Sequence, residues 1–351
     1  MRITLNKMPR NNQGLQQVQT NAERLIANAQ DREKANKQEV EINLKNYINY
    51  NYIGDLFVGN KPQRIRAIFD TGSTNIWILS KDCKSSRNII KENLPFDSTQ
   101  SSTLEVSDLA CAVEFGSGKL SGIFVKDDIR IGGTGLEQEQ LDGTSKHDVV
   151  LIKNQAFGLA KDEVVFDETF EAIVGLAFPQ MSNSLEVGQP FFDSLIDQKL
   201  LHMNVFAFYM SVSKKDQSEL IFGWIDESKY TGNIVWHPVI NQFFWQLQLD
   251  DVLYNNKSIG YCKKRKCSIT PDSGTSTITF PKRAFEKIKQ LIPDQKNCRD
   301  INDFGQLTKD MFIVGDTFMS YYYSIFNREN NTVGLAKALH QYPIDESGLF
   351  D

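Results

Sequence analysis

The 351-residue sequence predicts a mainly β fold in two lobes related by an internal duplication. From Tyr47 onward, aromatic and β-branched runs such as Tyr50 to Val58 and Ile65 to Phe69 alternate with clusters of turn residues. A short acidic loop, Asp70-Thr71-Gly72-Ser73, recurs as Asp272-Ser273-Gly274-Thr275. The length, with 40% apolar and 24% charged residues, suits a soluble chain whose core is divided between two lobes around a cleft.

Charge and hydropathy exclude several classes. A formal charge of -5 without a long basic stripe argues against nucleic acid or an anionic membrane surface as partner. No window holds the eighteen or more consecutive apolar residues of a membrane-spanning helix. Met1 is followed by Arg2-Ile3-Thr4-Leu5-Asn6-Lys7, which lacks the apolar segment of a secretory signal, so the expectation is an amino terminus that is incomplete as given.

The first 38 residues carry seven basic and three acidic side chains, a surplus of four, and the remaining 313 stand at -9. Leu15, Val18, Ala22, Leu25, Ile26 and Ala29 fall at helical spacing, and this leader reads equally as an amphipathic helix or as a disordered tail. Three segments are expected: a basic leader over 1–44, a first β lobe over 45–222 and a second over 223–351. The runs on either side of Gly59-Asn60-Lys61-Pro62 read as a hairpin. Helices are expected at Pro190 to Leu201 and Pro281 to Ile292, where Pro starts an apolar periodicity. The repeat extends beyond the acidic loops: Ala172-Ile173-Val174-Gly175 is echoed by Phe312-Ile313-Val314-Gly315, which implies a pseudo-twofold axis.

Of the five cysteines, Cys262 and Cys267 flank a four-residue basic loop and Cys83 and Cys111 bracket a polar segment, so two local disulfides are expected and Cys298 is left over. Five reduced thiols are the competing reading. No metal site is expected, because no second Cys or His pair stands at ligand spacing and His147, His202, His237 and His340 are scattered. Gly116-Ser117-Gly118 lacks a nucleophile elbow, and Lys263-Lys264-Arg265-Lys266 reads as a solvated hairpin tip. Asn256-Lys257-Ser258 and Asn330-Asn331-Thr332 are glycosylation sequons.

The repeated loop places a carboxylate at the tip of an apolar strand, within reach of hydroxyls and backbone N–H groups. Two such loops meeting on a twofold axis bring two carboxylates together. Like charges that close cannot both ionise, so the pair holds one proton and titrates as a unit. Its ionised member can take a proton from a water while the protonated member donates to a carbonyl oxygen, a route to amide hydrolysis without metal, cofactor or covalent intermediate.

Phe69-Asp70-Thr71-Gly72-Ser73-Thr74-Asn75-Ile76-Trp77-Ile78 resembles the first active-site motif of the pepsin-like aspartic endopeptidases. The resemblance runs from about Tyr50 to Leu339 and includes Tyr230-Thr231-Gly232, Tyr322 to Asn327 and Val333-Gly334-Leu335-Ala336. It implies a two-lobed pepsin-like fold with a peptide cleft and Asp70 and Asp272 as the catalytic pair. Ser73 and Thr275 would bond the outer carboxylate oxygens, Thr71 and Ser273 would cross-link the loops, and Gly72 and Gly274 complete the support. Gly175 and Gly315 resemble the glycines beneath the loops, and Asp316 a third carboxylate of acid-active members. The basic leader resembles a prosegment, with Lys34 and Lys37 as candidates to cover the acid pair. The implied chain is a zymogen of a secretory, vacuolar or extracellular compartment, monomeric, acting on protein or peptide substrates.

Val113 to Gly122 resembles the family's flap, so Phe115, Gly116, Ser117 and Trp77 are expected to bind substrate. Phe115 stands where the family has Tyr and loses the hydrogen bond to the indole of Trp77. Pro271 removes one backbone N–H beside Asp272. Asp70 to Gly175 spans 105 residues but Asp272 to Gly315 only 43, so the second lobe is expected to be shortened, with an open sheet edge. In the family the missing block holds the partner of Cys298. The competing functional reading is a pepsin-fold protein that binds peptides or proteins without cutting them.

Overall fold

The computed structural model describes residues 2–5, 39–47, 51–83, 95–115, 118–132, 149–162, 169–213, 216–291 and 309–341. After β1 (Arg2–Leu5) and β2 (Val40–Tyr47), the first lobe is built from β3 (Asn51–Val58), β4 (Gln63–Asp70), β5 (Ile76–Leu79), β6 (Glu105–Phe115), β7 (Gly118–Ile131), β8 (Val150–Asp162) and β9 (Ala172–Gly175). Helix α1 (Phe191–Asp197) leads into β10 (Val205–Tyr209) and β11 (Ser218–Phe222). The second lobe follows with β12 (Tyr230–Gln242), β13 (Trp245–Tyr254), β14 (Lys257–Ser258), β15 (Cys267–Pro271), β16 (Ile278–Thr279), α2 (Lys282–Lys289), β17 (Met311–Val314), α3 (Asp316–Met319), β18 (Tyr322–Asn327) and β19 (Thr332–Ala338). The chain is mainly β, as the sequence predicts, and the hairpin around Gly59 and both expected helices are present, the helices shorter than their periodicity.

Six antiparallel strands, in the order β2, β11, β10, β18, β19 and β12, form a sheet shared by the lobes. At its ends β2 passes into the first lobe through β3, and β12 into the second through β13. Above this sheet sits the largest aromatic cluster. Phe206 stacks on Phe326 at 4.8 Å between centroids and meets Trp245 edge-on at 5.6 Å. Trp245 packs on Phe178 at 4.5 Å and donates its indole N–H to the Leu176 carbonyl at 2.9 Å, which ties the start of the second lobe to the floor of the first.

Each lobe presents its acidic loop in the same way. Strand β4 alternates, with Ile65, Ala67 and Phe69 buried, and ends at Asp70. It runs parallel to β9, which lies between β4 and β5 and pairs antiparallel with β5. Strands β15, β17 and β16 repeat this arrangement, parallel from Ser268 to Pro271 and antiparallel at Ile278 and Thr279. Below Asp70, Glu171 is fully buried and accepts from Arg66 Nε at 3.0 Å, so the carboxylate there is paired.

The lobes then diverge. In the first, β5 continues onto β8, β8 onto β7 and β7 onto β6. Among the described residues of the second, β16 pairs with β17 alone and nothing corresponds to β6, β7 or β8. Helix α2 lays Ala284 and Ile288 on the core beside the half-buried Ile278 and Phe280, so a helix covers part of what the strands cover in the first lobe.

Two expectations need correction. Cys262 and Cys267 form a disulfide across a Cα separation of 5.5 Å, but no disulfide joins Cys83 to Cys111. Both sit in one apolar cluster with Trp77, Leu79 and Phe124, and burial pushes the Cys111 thiol up to about 11. The leader boundary at 44 falls inside β2, whose Val40, Ile42 and Leu44 are core residues paired with β11, and Arg2–Leu5 is a strand on β13. The predicted amphipathic segment, Lys34, Lys37, His147 and Cys298 lie outside the described residues.

Phe206 contacts aromatic rings from α1, β11, β13 and β18. Phe206→Ala should therefore cost about 3–5 kcal/mol in a urea titration, with the loss seen equally by near- and far-ultraviolet dichroism.

Candidate active site

The two acidic loops meet at the centre of the molecule because four hydrogen bonds cross between them. Thr71 N–H donates to Ser273 Oγ at 3.0 Å, and Ser273 N–H to Thr71 Oγ1 at 3.0 Å. Each hydroxyl then donates to the carbonyl preceding the opposite acid: Thr71 Oγ1 to Pro271 O at 2.9 Å, Ser273 Oγ to Phe69 O at 2.6 Å. Thr71 and Ser273 are buried, so every donor and acceptor in this crossing is satisfied away from water. Pro271 lacks an N–H, but its carbonyl takes part in the crossing and its place in β15 is kept.

The crossing brings the carboxyl groups of Asp70 and Asp272 within hydrogen-bonding reach of each other. Each is held from its own loop: Gly72 N–H donates to Asp70 Oδ1 at 2.8 Å and Gly274 N–H to Asp272 Oδ1 at 2.9 Å. Ser73 Oγ donates to Asp70 Oδ2, and Thr275 Oγ1 to Asp272 Oδ2 at 2.9 Å. Glycine is required where the loops touch. A Cβ on Gly72 would lie 2.6 Å from the Asp272 carboxyl carbon, and one on Gly274 would strike Asp70. Gly175 and Gly315 lie under the loops, where a Cβ would run into the backbone of Thr74 and Thr275. Their N–H groups donate to Asn75 O and Thr277 O, equivalent positions of the two lobes.

The electrostatics follow from packing. Desolvation, then the charge of Asp70, then the hydrogen bond to Asp70 push Asp272 well above the ordinary carboxylate range. Asp272 keeps partial solvent contact, so the desolvation comes from the atoms packed against its carboxyl group rather than from complete enclosure. Asp316, the first residue of α3, is 4% exposed and is raised well above the ordinary range, by burial first and by Asp272 second. Its Oδ1 has no partner among the described residues. Burial, and then Asp316, raises the buried Tyr52 hydroxyl from its ordinary range.

The structure thus brings together Asp70, Asp272, Thr71, Gly72, Ser73, Ser273, Gly274 and Thr275. Trp77 lies below them on β5, buried against Phe124 at 6.2 Å in the cluster that also holds Leu120 and, partly buried, Val113 of the β6–β7 hairpin. Phe115 pairs through its backbone with Gly118 at the end of that hairpin; Gly116 and Ser117 lie outside the described residues. Sequence reasoning missed Tyr52, whose position in an apolar run gives no sign of a charged neighbour. It also missed Asn75, which accepts from Ser182 Oγ at 2.8 Å and so fastens the first loop to the segment after β9. Among the described residues no group of three or more His, Cys, Asp or Glu side chains could hold a metal ion.

Comparison with known proteins agrees with this geometry. The family model described as eukaryotic aspartyl protease matches residues 51–302 and 294–338, two stretches that overlap over 294–302. Pepsin A of Canis lupus familiaris is 29% identical, covering 84% of this chain and 82% of its own length. Cathepsin E-A of Xenopus laevis is 30% identical over 90% and 86%, and the pregnancy-associated glycoprotein of Equus caballus 29% over 84% and 83%. A duplicated acid loop, the hydroxyl crossing beneath it and a family match across most of the sequence make this chain a member of the eukaryotic aspartyl protease family.

Proposed function

We propose that the chain is an endopeptidase that hydrolyses peptide bonds of extended polypeptides with a water activated between Asp70 and Asp272. The observation that carries this reading is the convergence of the two carboxyl groups on one another above the Thr71–Ser273 crossing. Asp272, raised by its surroundings, holds the shared proton and donates to the scissile carbonyl oxygen; Asp70, held by Gly72 and Ser73, takes a proton from the water. The water oxygen adds to the carbonyl carbon to give a gem-diol; Asp70 then gives its proton to the amine nitrogen as the C–N bond breaks, and a diol hydroxyl returns its proton to Asp272 as the new carboxyl group forms. The β6–β7 hairpin closes over an extended substrate, whose main chain supplies affinity while side-chain pockets choose bulky apolar residues. The oxidised Cys262–Cys267 pair favours a secretory or vesicular setting, and the raised carboxyl groups favour an acidic one.

A second reading, a peptide- or protein-binding member that does not cut, is favoured by one observation. Strand β16, which follows the Asp272 loop, lacks among the described residues the backing strand that β8 gives β5. Incubation of the purified chain with an unfolded protein between about pH 3 and pH 7 separates the two. Cleavage should rise toward acid pH, and Asp70→Asn or Asp272→Asn should lower kcat by roughly 10³-fold or more with little change in peptide affinity. Peptide binding without turnover by the unmutated chain at every pH would establish the second reading.

Because burial and Asp272 raise Asp316 in the folded state, its contribution to stability is complete below the unfolded value of about 3.9 and is lost as pH rises through the folded value. Stability should fall from about pH 4 toward neutrality, and Asp316→Asn, which keeps the shape without the charge, should flatten that profile. Melting temperatures across this range on an Asp70→Asn background test it; an unchanged slope would remove Asp316 as the cause.

A further inference from the structure

Strand β1 occupies a place that the lobe symmetry assigns to another strand. In the first lobe, one edge of β3 pairs with β4, and the opposite edge carries β2 near Ile53 and then β7, antiparallel, at Phe57 and Val58. In the second lobe, one edge of β13 pairs with β15, and the opposite edge carries β12 from Trp245 to Leu247 and then β1, antiparallel, from Leu249 to Leu253. Leu56 faces Ile65 and Leu249 faces Cys267, and those partners stand at the same distance before Asp70 and Asp272, so Leu56 and Leu249 are equivalent. It follows that Val58 and Asp251 are equivalent; the first pairs with β7 and the second with β1.

We infer that the outer edge of β13, Leu249 to Leu253, is a strand-accepting site separate from the acid pair, and that Arg2–Leu5 is its intramolecular ligand. Its place is the one β7 takes in the first lobe, and no counterpart of β7 is found among the described residues of the second. An uncovered edge would leave a row of backbone N–H and C=O groups available for pairing with other chains. Main-chain hydrogen bonds fill such an edge with little demand on sequence beyond the two-residue period. The alternation Arg2, Ile3, Thr4, Leu5 meets that demand, and the irregularity between Thr4 and Leu5 takes up the skipped residue on β13. The ligand class is an extended peptide alternating polar and apolar residues. Cutting the leader between β1 and β2 would leave Arg2–Leu5 seated on the second lobe, held only by strand pairing. None of this depends on whether the acid pair cuts peptides.

The test uses the full chain silenced by Asp70→Asn and the same chain without residues 1–6. Amide exchange of Leu249 to Leu253 should be at least about tenfold faster in the shortened chain, with β18 unchanged. A synthetic peptide of residues 1–8 should restore protection and bind saturably by fluorescence anisotropy to the shortened chain but not to the full one. If the shortened chain does not fold, Ile3→Pro and Thr4→Pro in the full chain give the same reading. Successive residues donate to opposite sides of a strand, so one of the two prolines removes a donor that faces β13. Unchanged exchange at Leu249 to Leu253 in the folded variants, or peptide binding equal in the full and shortened chains, would overturn the assignment.

Discussion

The reciprocal hydrogen bonds of Thr71 and Ser273 fix the rest of the site. Two like-charged loops at the ends of separate sheets would move apart if nothing opposed their repulsion. The buried crossing opposes it with four short, mutually oriented hydrogen bonds that cannot exchange for water while the lobes remain packed. The carboxyl groups are then held close without either acid taking part in the attachment. Each acid keeps its own support from its own loop: one oxygen accepts from a glycine N–H and the other from a hydroxyl, so the orientation of both carboxyl groups is fixed.

The glycines and the strand order serve the same constraint. A loop can reach the molecular axis only if nothing projects from the strand beneath it, and at Gly175 and Gly315 a single added carbon would meet the backbone of the loop above. Strands β9 and β17 run between the two arms of each loop and carry those glycines to the required depth. Trp245 then locks the lobes from below, with an indole hydrogen bond into the first lobe and an edge-on aromatic contact with Phe326 of the shared sheet. The placement of the acid pair thus rests on the packing beneath it.

Much of this was legible in the sequence, because a duplicated motif fixes two things together: residue types at a turn and their relation by an axis. The meeting of Asp70 and Asp272 and the pairing of Gly175 with Gly315 follow from it, whereas the hydroxyl supports and the place of those glycines beneath the loops were implied by the family resemblance. Cys262 and Cys267 were legible because a loop that short leaves few other geometries. Cys83 and Cys111 were not, since 28 positions along a chain say little about separation in space, and both thiols settled into one apolar cluster without bonding to each other. Tyr52 and Asn75 bond to partners distant in sequence, the Ser211 carbonyl and Ser182, and no local pattern marks such contacts. The leader misled for a different reason. Its charge surplus resides in side chains, whereas strand pairing at Arg2–Leu5 and Val40–Tyr47 is made by the backbone, to which composition is blind.

The two acids are symmetric in motif but not in the framework behind their loops. Strand β5, after the Asp70 loop, is backed by β8 and through it by two long strands, so the first loop stands on a wide sheet. Strand β16, after the Asp272 loop, has β17 on one side only among the described residues. Yet this lobe holds Asp272, raised by desolvation and by Asp70, with Asp316 a buried carboxyl group close behind it. The second lobe therefore concentrates the destabilised charge where its framework is narrowest, and keeping Asp272 and Asp316 protonated relieves both strains together. A lobe that carries two such carboxyl groups is held best at acid pH, which is also the condition that the proposed hydrolysis requires.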